Sequence, residues 1–381
     1  MTFIPLLLRV LALGIPLACI ASTQAAGDSE KRFGRILLFT PEGTELPANY
    51  QERLSAIAIR TEAFFKAGIE ERGWKVERSE IFARTPSGEI EVIVARDKLP
   101  SEATGRNALP AITERALAAG QKAVGRELAE GSVWWTFYHC PKQEVRGFRG
   151  MGTRDSGRAI NRYPDGPGAV GPNVPIAAKA MWELNLKGCI HEFGHALGLP
   201  HIGPKPIENR GNTLMGPINK AFVNKSPNKQ KKPEIYLSVA SAAMLAKHPI
   251  FSRNASLNKA KPIPISVSNL SITENKNHSI SISGSVSGKA KAHSIVVLDS
   301  SKGFGDYWSR PYTAKTDKNG EFALTLDNPW DATKGELTLY LCLEDGRNTA
   351  TGKRESLQKD VISIPYTGKL GNRAFDLNAK K

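Results

Sequence analysis

Apolar residues follow two rhythms along this chain, with the change near residue 260. In the first part they recur at helical spacing or in solid runs. Arg35 to Phe39 (Arg-Ile-Leu-Leu-Phe) is a solid run and predicts a buried strand. Tyr50 to Arg72 carries Leu54, Ile57, Ala58, Phe64, Phe65 and Ile69 as one stripe and predicts an amphipathic helix. Trp74 to Arg84 and Glu89 to Val94 read as two strands around the turn Thr85-Pro86-Ser87-Gly88. A second helix is expected from about Ala111 to Leu128, a strand over Val133 to His139, and a helix over Pro175 to Leu197. Ile235 to Lys247, with Leu237, Ala240, Met244 and Leu245 on one side, predicts another helix. This order describes a twisted mixed sheet covered by helices. Residues 141 to 174 interrupt it with a glycine-rich insertion carrying Arg146, Arg149, Arg154, Arg158 and Arg162. That stretch is expected as a long loop, its arginines either solvated or turned into a cleft.

From Ile265 the rhythm becomes alternation. Ser279 to Ser283, Ser294 to Leu298, Glu321 to Leu326, Leu337 to Leu343 and Val361 to Ile364 are short strand patterns between turns. About seven such strands suggest an Ig-like β-sandwich. The polar stretch from Asn254 to Pro264 reads as a linker. The expected fold class is α+β. A first domain spans 26–256, a linker 257–264, the sandwich 265–368 and a mobile tail 369–381. The break implies that the first domain folds alone.

The N-terminus adds an address. Residues 3 to 21 are mostly apolar, and Thr23-Gln24-Ala25 ahead of Ala26 suits cleavage of a signal peptide spanning 1–25. An uncleaved anchor is the competing reading, weakened by Pro5, Gly14 and Pro16 within the run. A secreted or extracytoplasmic location, in a periplasm or at a cell surface, is expected. No transmembrane segment is expected in the mature chain. The net charge of +15 and pI of about 9.6 favour anionic partners. Outside the cytoplasm these would be a polysaccharide, an anionic surface or an acidic protein, and nucleic acid is not expected. The densest basic run, Lys225, Lys229, Lys231 and Lys232, also suits a plain solvated loop.

The chemistry concentrates in His191-Glu192-Phe193-Gly194-His195-Ala196-Leu197-Gly198-Leu199-Pro200-His201. His191 and His195 are four residues apart, so one helix face can offer both imidazoles to one metal. Glu192 is placed to act on a water without ligating the metal. A continued helix would point His201 away, so the chain must turn back. Gly198 tolerates the left-handed turn, and Pro200 prevents the helix from resuming. Histidine is scarce, seven in 381 residues, and three fall here, so coincidence is a poor explanation.

The motif H-E-x-x-H-x-x-G-x-x-H resembles that of the metzincin clan of zinc metallopeptidases. Their second mark, a methionine turn beneath the metal, is matched by Gly211-Asn212-Thr213-Leu214-Met215-Gly216-Pro217. The resemblance implies Zn²⁺ held by His191, His195 and His201, Glu192 as general base, and Met215 as a structural floor rather than a ligand. It also implies a protein or peptide substrate, cut internally. Substrate would lie along an edge strand above the metal, near the 141–174 insertion. Two positions depart from known subfamilies. Pro217 stands where astacins and serralysins carry a tyrosine, and Ile202 follows the third histidine, so the subfamily stays open.

The mature chain keeps Cys140, Cys189 and Cys342. A Cys140–Cys189 disulfide clamping the metal helix and three buried free thiols are both open. The expected function is a secreted zinc metalloendopeptidase. The alternative is a noncatalytic surface- or polysaccharide-binding protein on a decayed scaffold of that type. The intact Glu192 disfavours it, because a decayed site is free to lose its base.

Overall fold

The computed structural model describes residues 32–101, 103–164, 176, 186–225, 234–253, 265–349 and 362–377. The 1–25 signal segment, the 257–264 linker, Lys229 to Lys232 and most of 165–185 lie outside the described residues.

The solid run near the start forms β1 (Gly34–Pro41), and the striped segment forms α1 (Tyr50–Glu71). β2 (Val92–Asp97) lies parallel to β1, as does β3 (Val133–Tyr138) on its other side. The strand expected over 74–84 is absent. Phe82 and Arg84 make only isolated bridges, although the turn at Thr85 to Gly88 closes as expected. The second helix is broken into α2 (Ala108–Val124) and α3 (Arg126–Glu130) by Gly125, whose φ of 83° no helix accommodates.

The insertion is not a structureless loop. It contains a hairpin, β4 (Arg149–Gly152) and β5 (Gly157–Arg162), which extends the sheet to the order β2-β1-β3-β5-β4. β5 is parallel to β3, and β4 is antiparallel to β5 and ends the sheet. Helix α4 (Leu186–Ala196) packs directly on this hairpin. Glycine makes that approach feasible. A Cβ on Gly152 or Gly157 would sit 1.8 Å from the Ala196 carbonyl oxygen, and one on Gly150 would sit 2.0 Å from that of Glu192.

Beyond α4 the chain forms β6 (Gly211–Thr213), α5 (Asn219–Lys225), β7 (Glu234–Tyr236) and α6 (Val239–Leu245). The helix expected from Ile235 is therefore shorter. Its first residues pair instead with β6, and Ser238 then caps α6 by accepting the Ser241 amide.

Eight strands follow: β8 (Ile265–Glu274), β9 (Ile280–Gly288), β10 (Ala292–Ser301), β11 (Arg310–Lys315), β12 (Glu321–Leu326), β13 (Lys334–Leu343), β14 (Ile362–Thr367) and β15 (Ala374–Phe375). They form antiparallel sheets ordered β11-β10-β13-β14-β15 and β12-β9-β8, with one apolar core drawn from both. The segment expected as a mobile tail contributes β15, which pairs with Tyr366 and Thr367.

This β-rich lobe is not a free appendage. Val296, Leu298 and Cys342 belong to the same buried cluster as Phe65, Phe193 and Leu245 of the first lobe. The side chain of Arg154 is nearly sealed and reaches the Asp345 carbonyl at 2.7 Å. It is neither a solvated nor a cleft arginine. Lys205 meets Asp327 at 3.0 Å, and Lys247 meets Glu344 at 3.5 Å. The first domain, expected over 26–256, thus shares part of its buried core with the β-rich lobe.

Candidate metal centre

α4 ends as its sequence requires. Gly198 has φ 85°, its amide donates to the His195 carbonyl at 2.9 Å, and the Leu199 amide donates to Gly194 at 3.0 Å. This pair of bonds closes the helix and reverses the chain. The reversal delivers two groups to one place. The Leu199 carbonyl comes beneath His195, and His201 comes back towards α4.

Each imidazole is held by its Nδ1. His191 donates to the Leu214 carbonyl at 2.9 Å, and His195 donates to the Leu199 carbonyl at 2.7 Å. A carbonyl only accepts, so Nδ1 carries the proton and the Nε2 lone pair is left free. His201 Nδ1 donates to the Asp306 carboxylate at 2.8 Å. The Nε2 atoms of His195 and His201 then stand 3.2 Å apart, and the three ligand atoms lie within 4.8 Å of one another. A tetrahedral zinc with bonds near 2.1 Å needs its nitrogens roughly 3.4 Å apart, close to the His195–His201 separation, and the donor set fits that ion in type. Among the described residues, these three form the group of His, Cys, Asp or Glu side chains able to share a metal.

Burial holds His191 well below its ordinary pKa and brings His195 down to about 4. Both sites therefore favour the neutral imidazole, the form that can offer Nε2 to a metal. Glu192 is buried beside them, and burial raises its carboxyl to about 7, opposed by the Gly150 amide. That amide belongs to the edge strand β4.

The methionine turn lies beneath α4. Met215 is fully buried, and its Sδ would lie 2.6 Å from a Cβ added to Gly194. Leu214 of the same turn holds His191. Lys187 is also buried. It donates to the Gly216 and Pro217 carbonyls at 3.0 and 2.5 Å, tying α4 to the turn. Ile202 belongs to the core, and its amide donates to the Met215 carbonyl at 3.2 Å. Ile202 thus anchors the third histidine to the methionine turn.

Cys140, Cys189 and Cys342 are free thiols, each pushed up to about 12 by burial. No Cys140–Cys189 clamp forms. α4 is held instead by Lys187 and by the glycines of the hairpin.

Two residues at the site were not legible as such. Asp306 and Tyr307 lie in a 3₁₀ turn, Asp306–Trp308, of the β-rich lobe. The Tyr307 ring stacks on His201 with centroids 3.6 Å apart, and faces His191 at 6.2 Å. The only sequence signal was the aromatic crowding of Phe304-Gly305-Asp306-Tyr307-Trp308.

No family model matches the sequence, and no curated protein does. Solved structures do match in fold. Catalytically inactive OgpA from Akkermansia muciniphila, in complex with an O-glycopeptide (glycodrosocin) substrate, is similar with a TM-score of 0.66 and 18% identity. Wild-type OgpA from the same organism is similar with TM-scores of 0.67 and 0.66, at 17% and 18% identity. Each match covers 91% of this chain and 95% of the other, so both lobes share the fold.

Proposed function

We propose that this chain is a zinc metallopeptidase of the metzincin type that cuts internal peptide bonds, with Glu192 as general base. The reading is carried by one observation: three Nε2 atoms converge, each with its Nδ1 tied down, beside a buried carboxyl. His191, His195 and His201 would hold zinc through Nε2, a donor set this ion favours. When bound, zinc supplies a Lewis acid that polarises a carbonyl and lowers the pKa of water from 15.7 towards about 7. Glu192 takes a proton from the attacking water as the water oxygen bonds to the scissile carbonyl carbon. It then passes that proton to the amide nitrogen as the C–N bond breaks, which regenerates the carboxylate. A carboxyl raised to about 7 suits both halves of this exchange. Met215 stays a floor. The edge strand β4 offers its outer side for an extended substrate to add to the sheet.

The O-glycopeptide bound by the neighbouring structure makes glycosylated peptide the substrate class of first choice here. The N-terminal 1–25 segment supports action outside the cytoplasm. No described helix is long and apolar enough to cross a membrane.

The test is hydrolysis of a matched pair of peptides, one O-glycosylated and one bare, by purified protein with and without a zinc chelator. Cleavage of the glycosylated peptide that stops on chelation and returns with zinc is the expected result. A zinc-loaded protein that binds the glycopeptide without cutting it would instead favour the noncatalytic reading.

A further inference from the structure

The three imidazoles are not held in the same way. His191 and His195 lean on backbone carbonyls of their own lobe, Leu214 and Leu199. The third leans on Asp306, a side chain 105 residues further on and in the other lobe. We propose that Asp306 is a positioning residue for His201, so that the metal site is completed across the two lobes. This inference rests on the zinc reading above.

The geometry supports a built contact rather than a chance one. Asp306 is largely exposed, with 71% of its side chain accessible, and a carboxylate in water has little reason to stay on one partner. Here its backbone is fixed. Gly305, with φ 74°, starts the turn, and the Ser309 amide closes it on the Asp306 carbonyl at 3.0 Å. Trp308 is buried and faces Phe222 of the first lobe with rings 6.3 Å apart. Trp330 Nε1 donates to the Trp308 carbonyl at 3.2 Å.

The segment that carries His201 is fixed to the same turn. The Gly203 amide donates to the Ser309 carbonyl at 2.8 Å, and a Cβ on Gly203 would lie 2.6 Å from the Trp308 backbone. Donor and acceptor are thus both anchored before they meet. The Tyr307 ring then covers the face of His201 and limits its rotation.

The chemical consequence is specific. A carboxylate accepts only, so it keeps the His201 proton on Nδ1 and leaves Nε2 as the donor atom. Loss of such a partner commonly weakens metal binding 10–100-fold.

The test is zinc affinity of the full-length protein, measured by competition with a chromophoric chelator. Asp306→Ala should bind zinc roughly 10–100-fold more weakly than wild type. Asp306→Asn, which keeps an acceptor but no charge, should lose less. Asp327→Ala is the control, because it breaks the Lys205 contact between the lobes without touching a histidine. It should bind zinc as wild type does. The visible spectrum of the cobalt-loaded protein should change in Asp306→Ala and not in Asp327→Ala. Equal zinc affinity in Asp306→Ala and wild type would overturn this inference and leave the peptidase reading standing. So would an equal loss in Asp327→Ala, since lobe docking alone would then explain the effect. Wild-type protein that takes up no zinc would remove both.

Discussion

At the residue scale, the site depends on a few positions that no other side chain can fill. Gly198 is one, because its φ of 85° lets the helix close and places the Leu199 carbonyl under His195. Gly198→Ala should cost about 1 kcal/mol in urea denaturation and weaken zinc binding, because the carbonyl that fixes His195 moves with the turn. Wild-type zinc affinity in that variant would show that the turn does not position the ligand. The motif made His191, Glu192, His195, Gly198 and His201 legible as candidates because each has an expected mechanical role within eleven consecutive residues. Asp306 and Tyr307 escaped because their partners lie about a hundred residues away. Nothing in the sequence announces that the turn carrying them reaches His201. Ile202 looked anomalous next to the third histidine, yet the structure gives it a plain role as a core residue tied to Met215.

At the element scale, the packing of α4 on the hairpin β4–β5 sets the position of Glu192. The contact is backbone against backbone, at Gly150, Gly152 and Gly157. Gly152→Val should destabilise the protein by about 1–3 kcal/mol or more through overpacking, as a shift in the urea midpoint. A midpoint within error of wild type would mean that the hairpin yields freely. Sequence pattern found α1, β1 and β3 because their burial is one-sided or complete over whole elements. It misread the hairpin, since Arg-Gly-Met-Gly has neither the β-branched residues nor the alternation of an ordinary strand. Its glycines answer to close approach, which appears only once α4 is in place. The segment at Ile235 failed for a related reason. An apolar stripe does not reveal that its first residues will pair with β6.

At the scale of the whole molecule, the two lobes share a buried core, with the proposed metal centre at their junction. Residues 26–256 alone would expose the surface that Val296, Leu298 and Cys342 cover. That fragment should lose the cooperative unfolding transition of the full chain, as read by circular dichroism during heating. A sharp transition near the full-length melting temperature would restore the separable domain. The junction should also be sensitive to acid. Burial brings both His248 and His293 down to about 3 from an ordinary 6.5. His248 lies among Arg32, Arg78 and Arg154, and His293 lies beside Lys247 and Lys315. As pH falls from about 6.5 towards 3, the unfolded chain binds these protons and the folded chain does not. Stability therefore falls with pH across that window, by up to about 1.4 kcal/mol per pH unit for each histidine. His293→Gln should flatten the slope of denaturation midpoint against pH. An unchanged slope would mean that His293 does not contribute to it.

The central claim is that a zinc site with a separate carboxylate base cuts peptide bonds, and Glu192→Ala tests it most directly. Zinc content, melting temperature and hydrolysis of the glycosylated peptide should be measured on one preparation. The account predicts near wild-type zinc and near wild-type melting temperature, with turnover reduced by roughly 10²-fold or more. Undiminished hydrolysis by zinc-replete Glu192→Ala protein would contradict it.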